Sequence, residues 1–462
     1  MEEKFQKNET EGVNLLRGNP REAVKKLALP LMLSMMIISL YNITDSFWIA
    51  GLGANQLAGI GCVIPLEFLI ISVGTALGAG ISSVVSKYIG QKNDKKADNA
   101  SIHSVLFSLL TSIIVTIIFV LFMKELIVAM GARGPSLEYA MEYAHIYFFA
   151  SVFVIMPNAL YGLLRSEGDN KRTMYLMVLC AVINMILDPI FIYTFKMGMF
   201  GAALSTVISL MIVLFIMCYW IYIKKDTYLS PILSNFEYNP IIIKDILKVA
   251  IPTICEVIFL TFITAIMHFI ILMVSTTDSI AVFENGWRMI TLATEPILAI
   301  SIALISIVAT NYGAENYTNI KIAYNYGMKI ATIIGIIAMI IFLCFAPQIA
   351  YIFTYSSASV KLFEPTVTFF YIFSWFFIVF PGGIISTYIF QGLGKGTTSL
   401  ILTIIREVVC GVLFALLFGI ILNMGINGVW FGILIGYTIG GLISIVYAHN
   451  YLAKIVKNKG IN

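Results

Sequence analysis

The chain has 462 residues, of which 59% are hydrophobic and only 12% are charged, and its mean hydropathy is +0.92. A composition this apolar excludes a soluble globular protein and predicts an all-α polytopic membrane protein. The formal net charge of +4 decides little by itself, because the distribution of Lys and Arg over the loops sets the orientation of such a protein in its membrane.

Twelve apolar windows in the sequence are long enough to form transmembrane helices. The windows of the first half, spans 1 to 6, are 26–50, 57–86, 101–123, 140–164, 173–195 and 199–223. Those of the second half, spans 7 to 12, are 248–274, 280–310, 324–352, 362–391, 398–422 and 427–453. Residues 1–21 are polar and contain no signal-peptide pattern, so span 1 is expected to direct insertion itself.

The basic residues predict the orientation of these spans. With the N terminus in the cytoplasm, only four of the 29 Lys and Arg residues fall in outside loops, namely Lys124, Arg133, Lys196 and Lys361. Arg288 and Arg406 lie within spans, and the others are inside. Because cytoplasmic loops carry an excess of Lys and Arg, the sequence predicts a multi-pass protein of the cell membrane with both termini in the cytoplasm.

The two halves of the sequence repeat each other. The matching segments are 26–30 with 248–252, 90–100 with 313–323, 165–170 with 391–396, and 197–203 with 424–430. The offset between paired positions drifts only from 222 to 227, and six spans return the chain to its starting side of the membrane. The repeat therefore predicts two six-helix lobes of the same orientation, with a substrate path near their interface.

The domain boundaries follow from the spans and the repeat. They define a cytoplasmic N-terminal segment at 1–25, an N-lobe at 26–223, a cytoplasmic linker at 224–247, a C-lobe at 248–453 and a cytoplasmic tail at 454–462. The linker is polar and contains Pro231 and Pro240, as expected for a connection between lobes. Twelve spans can form a complete transporter, so we expect the monomer to be functional.

Span 1 carries one carboxylate, Asp45, in an otherwise apolar helix. A carboxylate at that depth costs about 2.5–3.5 kcal/mol on insertion scales, so it is expected to face the bundle interior or an aqueous cavity and to have a function. Asn42 and Tyr41, three and four residues earlier, share its helical face. Pro30 removes a backbone hydrogen bond and predicts a bend. The alternative is a solvated Asp45 near the helix end.

The predicted topology brings further polar side chains to the depth of Asp45. Spans 1 and 5 run outward and spans 2 and 6 run inward, so Glu67, Asp188 and Thr206 also fall in the outer half of the N-lobe. Asn184 lies four residues before Asp188, on the same face of span 5. Two carboxylates, an amide and a hydroxyl are oxygen ligands that suit Na+, and the same carboxylates could instead exchange protons. Taken singly, Thr206 could be an ordinary packing residue and Asn184 could join two helices.

The C-lobe carries different ionisable residues. Glu256 lies in the inner half of span 7, and Glu295 lies near the middle of span 8, seven residues after Arg288. These three residues are secondary candidates for contacts with an ion or a substrate. Arg406 and Glu407 enter span 11 near its cytoplasmic end, where snorkelling or a salt bridge explains them.

The repeat shows that the two lobes have been given different side chains at matching positions. Asp45 corresponds to Met267, and Asp188 corresponds to Ala415. Glu256 in turn corresponds to Ser34. The lobes are therefore predicted to share one scaffold but not one chemistry.

No residue pattern indicates catalysis or a bound cofactor. The six cysteines lie in apolar spans without metal-type spacing, and the four histidines are scattered. The segment 392–398 resembles a phosphate loop superficially, but its spacing is wrong. The sequence therefore predicts no enzyme activity, no cofactor and no nucleic-acid partner.

Several motifs, specific only in combination, give nearly the whole chain a family likeness. They are the helix with Pro30 and Asp45, the segments 156–162 and 165–172, Asn184 with the Asp188 and Pro189 pair, and the loops 86–91 and 311–315. With these motifs the chain resembles the multidrug and toxic compound extrusion (MATE) transporters. Within that family it is similar to the prokaryotic branch that includes the DinF-like and archaeal members.

The resemblance implies a V-shaped arrangement of two six-helix lobes that exports organic, often cationic and aromatic, compounds in exchange for H+ or Na+. It implies a cation site formed by Asp45, Asn184, Asp188 and Thr206. Asn158 would join the hydrogen-bond network of that site, and Pro30 would mark a bend. One feature departs from the family pattern: Glu256 matches an acidic position of span 7, but residues 366–391 of span 10 contain no acid.

We therefore expect a secondary active multidrug efflux antiporter that works by alternating access, with small organic compounds and membrane lipid as its partners. The alternative is a lipid-linked oligosaccharide flippase of the same superfamily. A flippase would need several cationic residues within its spans to hold a pyrophosphate, and only Arg288 and Arg406 are candidates.

Overall fold

The computed structural model describes residues 9–355 and 359–459, and most of them are helical. The extreme ends of the predicted N-terminal segment and C-terminal tail, 1–8 and 460–462, lie outside the described residues. The predicted all-α fold is confirmed.

Within the described residues, the first half of the chain forms nine α-helices. They are α1 (Glu11–Arg17), α2 (Pro20–Ala50), α3 (Ala54–Gly90), α4 (Asp94–Leu121), α5 (Met123–Ala129), α6 (Pro135–Phe149), α7 (Ser151–Ser166), α8 (Asn170–Pro189) and α9 (Gly198–Cys218). Two π-helical turns extend α8 through Ile190–Thr194 and α9 through Tyr219–Lys224.

The described part of the second half forms eight more. They are α10 (Pro240–Val274), α11 (Thr277–Gly313), α12 (Tyr317–Thr354), α13 (Phe363–Phe373), α14 (Phe376–Gly392), α15 (Gly396–Ile404), α16 (Leu413–Leu416) and α17 (Gly425–Lys459). The π-helical segments Ile405–Val412 and Leu417–Ile421 join α15 and α16 into one continuous rod. Short 3₁₀ turns lie at Leu233–Asn235 and Val360–Leu362.

The described residues contain ten helical segments that are long and apolar enough to cross a membrane, and two bent helix pairs complete a set of twelve spans. The bent pairs are α6 with α7 and α13 with α14, and each is bent by 53°. The predicted number of spans is confirmed. The bends were not predicted, because the apolar windows 140–164 and 362–391 run through them without a break.

A serine lies at each bend. The Ser151 hydroxyl donates to the Phe148 carbonyl at 2.5 Å, and the Ser374 hydroxyl donates to the Tyr371 carbonyl at 2.7 Å. These serines are 223 residues apart, so they occupy the same position in the repeat. A side chain that bonds back to the preceding turn competes with the helical ladder, which explains a kink at this point in both lobes.

Side-chain caps fix the start of each lobe. The side chain of Asn19 accepts from the Arg21 amide just before α2, and that of Asn239 accepts from the Ile241 amide just before α10. In both cases a proline takes the first helical position, where its missing N–H costs nothing. As a result α10 begins at Pro240, inside the predicted linker 224–247, whereas the other domain boundaries stay predictions.

The outer surface of the bundle is apolar. On α4, one face exposes Leu106, Leu109, Leu110, Ile113, Ile114, Ile117, Ile118 and Leu121. A contiguous apolar face of this size would cause a soluble protein to associate, and it suits contact with lipid.

Each half of the chain builds its own core, but the first helix of each half crosses to the other lobe. The first half of α2, including Leu27 and Leu31, packs against α11 and α12 of the second lobe. The start of α10, including Ile242 and Ile246, packs into the core of the first lobe. The far end of α10, around Met267, returns to the core of its own lobe. Both α2 and α10 therefore contact the two lobes at once.

The lobes meet at the end predicted to be cytoplasmic. A Cβ at Gly90 would lie 1.9 Å from the Thr310 carbonyl oxygen, and a Cβ at Gly313 would lie 2.0 Å from the Lys87 carbonyl oxygen. Adding the repeat offset of 223 to Lys87 and Gly90 gives Thr310 and Gly313, so each contact is the repeat equivalent of the other. The helices α3 and α11 therefore cross about a pseudo-twofold axis. We call this contact the seam. Only glycine lets the two backbones approach so closely.

The hydrogen bonds between the lobes do not continue far beyond the seam. Among the described residues, the hydrogen bond between lobes that lies farthest from the seam joins the Ser39 hydroxyl to Glu295 at 3.4 Å. We call the space between the lobes beyond this pair the cleft. The described hydrogen bonds and glycine contacts between the lobes therefore lie between the predicted cytoplasmic end and this pair.

Enlarging a glycine of the seam should open it. A methyl carbon needs about 3.5 Å from a carbonyl oxygen, so Gly90→Ala should force the helices apart at a cost of about 1–3 kcal/mol. We expect a longer distance between spin labels at Lys95 and Thr318, which are exposed near the seam on α4 and α12. The labels would be introduced in a variant without the six native cysteines.

Gly61→Ala is the matched control, because Gly61 lies on the same helix as Gly90 and a Cβ there would meet nothing within 4 Å. Equal label distances in the two variants would contradict the proposed packing of the seam.

Candidate functional site

The helix α2 presents three different faces. Its exposed stripe consists of Leu29, Leu33, Met36, Leu40, Ile43 and Phe47. A second face contacts the other lobe, where Met35 packs and the Ser39 hydroxyl donates to Glu295. The third face carries Tyr41, Asp45 and Trp48 toward the first lobe. Helical spacing thus places Asp45 inside the first lobe, away from the apolar stripe.

Asp45 contacts Asp188 of α8. The carboxyl groups of the two residues lie within hydrogen-bonding reach of each other. Asp188 is fully buried and Asp45 is half-buried. The Tyr193 hydroxyl fixes the end of α2 beside this pair by donating to the Trp48 carbonyl at 2.5 Å. The structure therefore joins the two carboxylates that the sequence placed at one depth.

Asp188 is held by side chains from α8 and α9. The Ser205 hydroxyl donates to Oδ1 of Asp188. In the amide orientation of Asn184 that gives both its nitrogen and its oxygen a hydrogen bond, the nitrogen donates to Oδ2 of Asp188 at 2.9 Å. The oxygen then accepts from the Thr206 hydroxyl at 3.1 Å. Asn184 therefore contacts Asp188, and Thr206 contacts Asn184. Their predicted role in binding an ion stays a prediction.

Glu67 lies at the edge of the same site. It interacts electrostatically with Asp45, and the Tyr143 hydroxyl of α6 lies within hydrogen-bonding reach of it. Its Oε1 is buried and has no hydrogen-bond partner among the described residues. Tyr41 and Tyr147 complete the electrostatic surroundings of the acids.

Three acids and a set of neutral oxygen ligands therefore share one region of low polarity. Negative charges at such short separation repel strongly, because the surrounding lobe screens them poorly. A proton or a small cation bound between Asp45 and Asp188 would relieve that repulsion, and Asn184 and Thr206 supply further oxygens. Among the described residues no group of three or more His, Cys, Asp or Glu side chains could hold a metal ion, so a bound Na+ would depend on these amide and hydroxyl oxygens.

Some predicted members of the site lie outside it. Asn42 is exposed, on the face of α2 that carries Ser39 toward the second lobe. The Asn158 amide donates to the Val154 carbonyl of its own helix at 2.8 Å, and no described hydrogen bond links it to the acids. In this structure α2 runs from Pro20 to Ala50 as one helix that includes Pro30, and the predicted bend at Pro30 stays a prediction.

Ser205, Tyr143 and Tyr147 were not predicted from the sequence. Ser205 is adjacent to Thr206, and the serine, not the threonine, faces the carboxylate. The two tyrosines lie four residues apart on α6, and their rings stack at 5.9 Å. That spacing shows a shared face, but only the bend after Phe149 and the packing of α6 decide that this face meets Glu67.

The second lobe buries an ionic cluster of its own. Glu407 accepts from both Nε and Nη2 of Arg406 at 3.0 Å and from the Tyr437 hydroxyl. Glu256 accepts from the Thr403 hydroxyl at 2.5 Å and interacts electrostatically with Arg406. Arg406 is 3% exposed and Glu407 4%, so the predicted snorkelling of this pair is wrong and the predicted salt bridge is present. The lobe therefore supplies its own cation to its buried acids.

The other secondary candidates line the cleft. Glu295 accepts from Ser39 across the lobes, and its Oε2 is buried without a described partner. Arg288 is exposed two turns away on the same helix. No described hydrogen bond or ion pair links Arg288 to Glu295.

The positions that correspond to the acidic site are apolar in the second lobe. Met267 and Ala415 replace Asp45 and Asp188, and both belong to a core rich in phenylalanine. The stacked rings of Phe283 and Trp430, 5.7 Å apart, fill that core. The two lobes thus share a scaffold, and only the first contains the acidic pair.

The comparisons with known proteins agree with the fold and with the motifs. The MatE family model matches residues 30–190 and 252–417, which is well over half of the chain. The multidrug export protein MepA of Staphylococcus aureus is 23% identical over 88% of this chain and 89% of its own length. A FAD transporter of Shewanella oneidensis is 24% identical over 71% of this chain and 73% of its own length.

A solved structure is also similar. It shows a multidrug resistance MATE family transporter of the MOP superfamily in an outward-facing conformation, and it superimposes on this chain with a TM-score of 0.95. The two sequences are 35% identical, and the match covers 97% of this chain and 100% of the other. The predicted resemblance is confirmed: the chain belongs to the MATE family of multidrug efflux transporters.

Proposed function

We propose that this protein is a secondary active antiporter that exports organic compounds in exchange for H+ or Na+. The observation that carries the proposal is the contact between Asp45 and Asp188 inside an apolar lobe. Two carboxyl groups at that separation need a proton or a cation between them, so occupancy of the pair depends on the ion concentration.

The helix α2 connects this ion site to the arrangement of the lobes. Its first half packs on the second lobe through Leu27 and Leu31, and its second half carries Asp45 into the first lobe. The start of α8 is also tied to it, because the Asn170 amide donates to the Leu27 carbonyl at 2.8 Å. When an ion or proton neutralises Asp45, the part of α2 around it can pack differently, and that change is transmitted to the contact between lobes.

Exchange follows from this connection without contact between ion and substrate. The cleft that begins at Ser39 and Glu295 would hold the exported compound. If the ion favours one arrangement of the lobes and the compound favours another, each lowers the affinity of the protein for the other. An inward ion gradient then drives outward transport.

The flippase alternative is less well supported by the buried side chains. Of the two cations predicted to be candidates for a pyrophosphate site, Arg406 is paired with Glu407 in the core of the second lobe. Arg288 is exposed on the cleft side of α11. Of these two candidates, only Arg288 is therefore free to contact a pyrophosphate.

Asp45→Asn should abolish uphill export. In proteoliposomes loaded with ethidium, we expect wild-type protein to drive efflux under an imposed pH gradient or Na+ gradient, and we expect the variant to fall to the level of protein-free liposomes. The amide keeps the shape of Asp45 but cannot carry the charge that ion binding neutralises.

Asp278→Asn is the matched control, because it removes the same charge from an exposed pair with Lys361, where an ion pair is worth only about 0–1 kcal/mol. Undiminished export by Asp45→Asn would disprove the role of the pair. If wild type showed no flux under either gradient, lipid-linked substrates would become the stronger hypothesis.

Ser205→Ala should make the acidic pair bind its coupling ion more tightly without abolishing transport, because the Ser205 hydroxyl stabilises the charged, ion-free form of Asp188. A hydrogen bond to a charged group contributes about 1.5–3 kcal/mol, which corresponds to roughly tenfold to 150-fold in affinity. If Na+ drives export, we expect the Na+ concentration for half-maximal efflux to fall by up to that factor. If H+ drives it, the pH of half-maximal efflux should rise by about one unit or more, because the carboxyl group then holds its proton more tightly.

Ser209→Ala provides the comparison for Ser205→Ala. Ser209 is also a fully buried serine of α9, but its hydroxyl donates to the Ser205 carbonyl and to no carboxylate. Identical ion dependence in the two variants would exclude Ser205 from the ion site.

A further inference from the structure

Arg165 is a buried cation without a counter-ion. It lies in the last turn of α7 and is 8% exposed. The sequence counted it among the cytoplasmic loop cations, and the structure corrects this. Within the described residues its guanidinium forms no hydrogen bond and no ion pair. The ionisable groups that interact with it are Tyr161 and Tyr388, and neither is a carboxylate.

The guanidinium lies where the two lobes meet. Tyr161 belongs to α7 of the first lobe, whereas Tyr388 belongs to α14 of the second. Tyr388 packs against a small apolar layer made of Ala79, Val249 and Ile305, which come from both halves of the chain. Because helical side chains lean toward the helix N terminus, Arg165 points away from the loop that follows it.

Two further observations relate Arg165 to the cleft. Tyr388 interacts electrostatically with both Arg165 and Glu295, and Glu295 forms the hydrogen bond that marks the start of the cleft. Next to the apolar layer, Gly78 leaves room for the guanidinium, since a Cβ there would lie 3.2 Å from Nη2 of Arg165.

Nothing in the shared scaffold requires a cation at this position. The residue that corresponds to Arg165 in the second lobe is the neutral Gln391, whose amide donates to the Ser399 hydroxyl at 3.4 Å. The other buried arginine, Arg406, is paired with Glu407. Arg165 therefore differs from both, because its charge is not matched by a group of the protein.

An unpaired buried charge is unfavourable, and a ligand that pairs with it recovers that cost. The planar guanidinium presents parallel N–H donors that match the two oxygens of a carboxylate or phosphate. Tyr161 and Tyr388, which interact with it electrostatically, carry further O–H donors, and their rings offer apolar surface to the rest of a ligand.

We propose that Arg165, flanked by Tyr161 and Tyr388 at the floor of the cleft, binds the carboxylate or phosphate group of an amphipathic organic anion. The inference rests on the proposed function for the role of the cleft as the substrate site, and it extends the substrates beyond organic cations.

Equilibrium binding to the purified full-length protein tests this inference without any ion gradient. One pair of fluorescent probes is flavin mononucleotide and riboflavin, which differ by a phosphate. A second pair is pyrenebutyrate and its amide, which differ by a carboxylate charge. We expect the anionic member of at least one pair to bind roughly tenfold to 150-fold more tightly than its neutral partner. The pair that shows this preference identifies the anionic group.

The preference should depend on Arg165. We expect Arg165→Gln to give the anionic and neutral probes equal affinities. Arg165→Lys should restore part of the difference, because Lys keeps the charge but lacks the parallel N–H donors of the guanidinium. Arg133→Gln is the control, since Arg133 lies in an exposed loop and its guanidinium donates to the carbonyls of Val128 and Ala132. If Arg165→Gln does not fold, Tyr388→Phe serves instead and should reduce the preference severalfold.

Equal binding of anionic and neutral probes to the wild type, including no measurable binding of either, would overturn the inference. A preference that survives both Arg165→Gln and Tyr388→Phe would also overturn it. Neither outcome bears on antiport, which the gradient-driven efflux of ethidium tests separately. Conversely, if the wild type exported no ethidium, the conclusion from the binding measurement would not change.

Discussion

The contact between two carboxyl groups, Asp45 and Asp188, is the constraint on which the first lobe depends. An apolar bundle screens charge poorly, so the pair is unfavourable unless an ion or a proton lies between its members. The surrounding side chains reduce that cost without removing it, because Ser205 and Asn184 donate to Asp188 while Asp45 receives no such bond in the described residues. This imbalance leaves Asp45 as the member of the pair most dependent on an ion.

The same constraint is met differently in the second lobe. There the buried acid Glu407 has Arg406 as a permanent partner, and Glu256 accepts from Thr403. A fixed internal cation needs no ion from solution, so this lobe can keep a constant charge through a transport cycle. This difference between the lobes agrees with the presence of Met267 and Ala415 in the second lobe, at the positions of the acidic pair in the first. If the acidic pair binds the coupling ion as proposed, the first lobe is the one that responds to ions.

The two lobes are connected by glycine contacts and by exchanged helices. At the seam, Gly90 and Gly313 bring backbones together at one end, so the lobes can separate at the other without losing a large apolar contact. Because α2 packs on both lobes, it connects the surroundings of Asp45 to the contact between the lobes. Arg165 lies between these features, at the floor of the cleft, where an anionic ligand would contact both lobes at once.

The sequence alone determined the class, the number of spans, the repeat and most of the acidic site, because hydropathy and helical spacing are local properties that tertiary packing cannot reverse. It also placed Asp45, Asn184 and Asp188 together, since the topology fixes their depth. Only the tertiary structure decided that Ser205 faces the carboxylate, that Asn42 turns away, that Arg406 is buried beside Glu407, and that Arg165 is left without a counter-ion. Those facts depend on helix rotation and on bends such as that after Phe149, which neighbouring helices set and which no apolar window records.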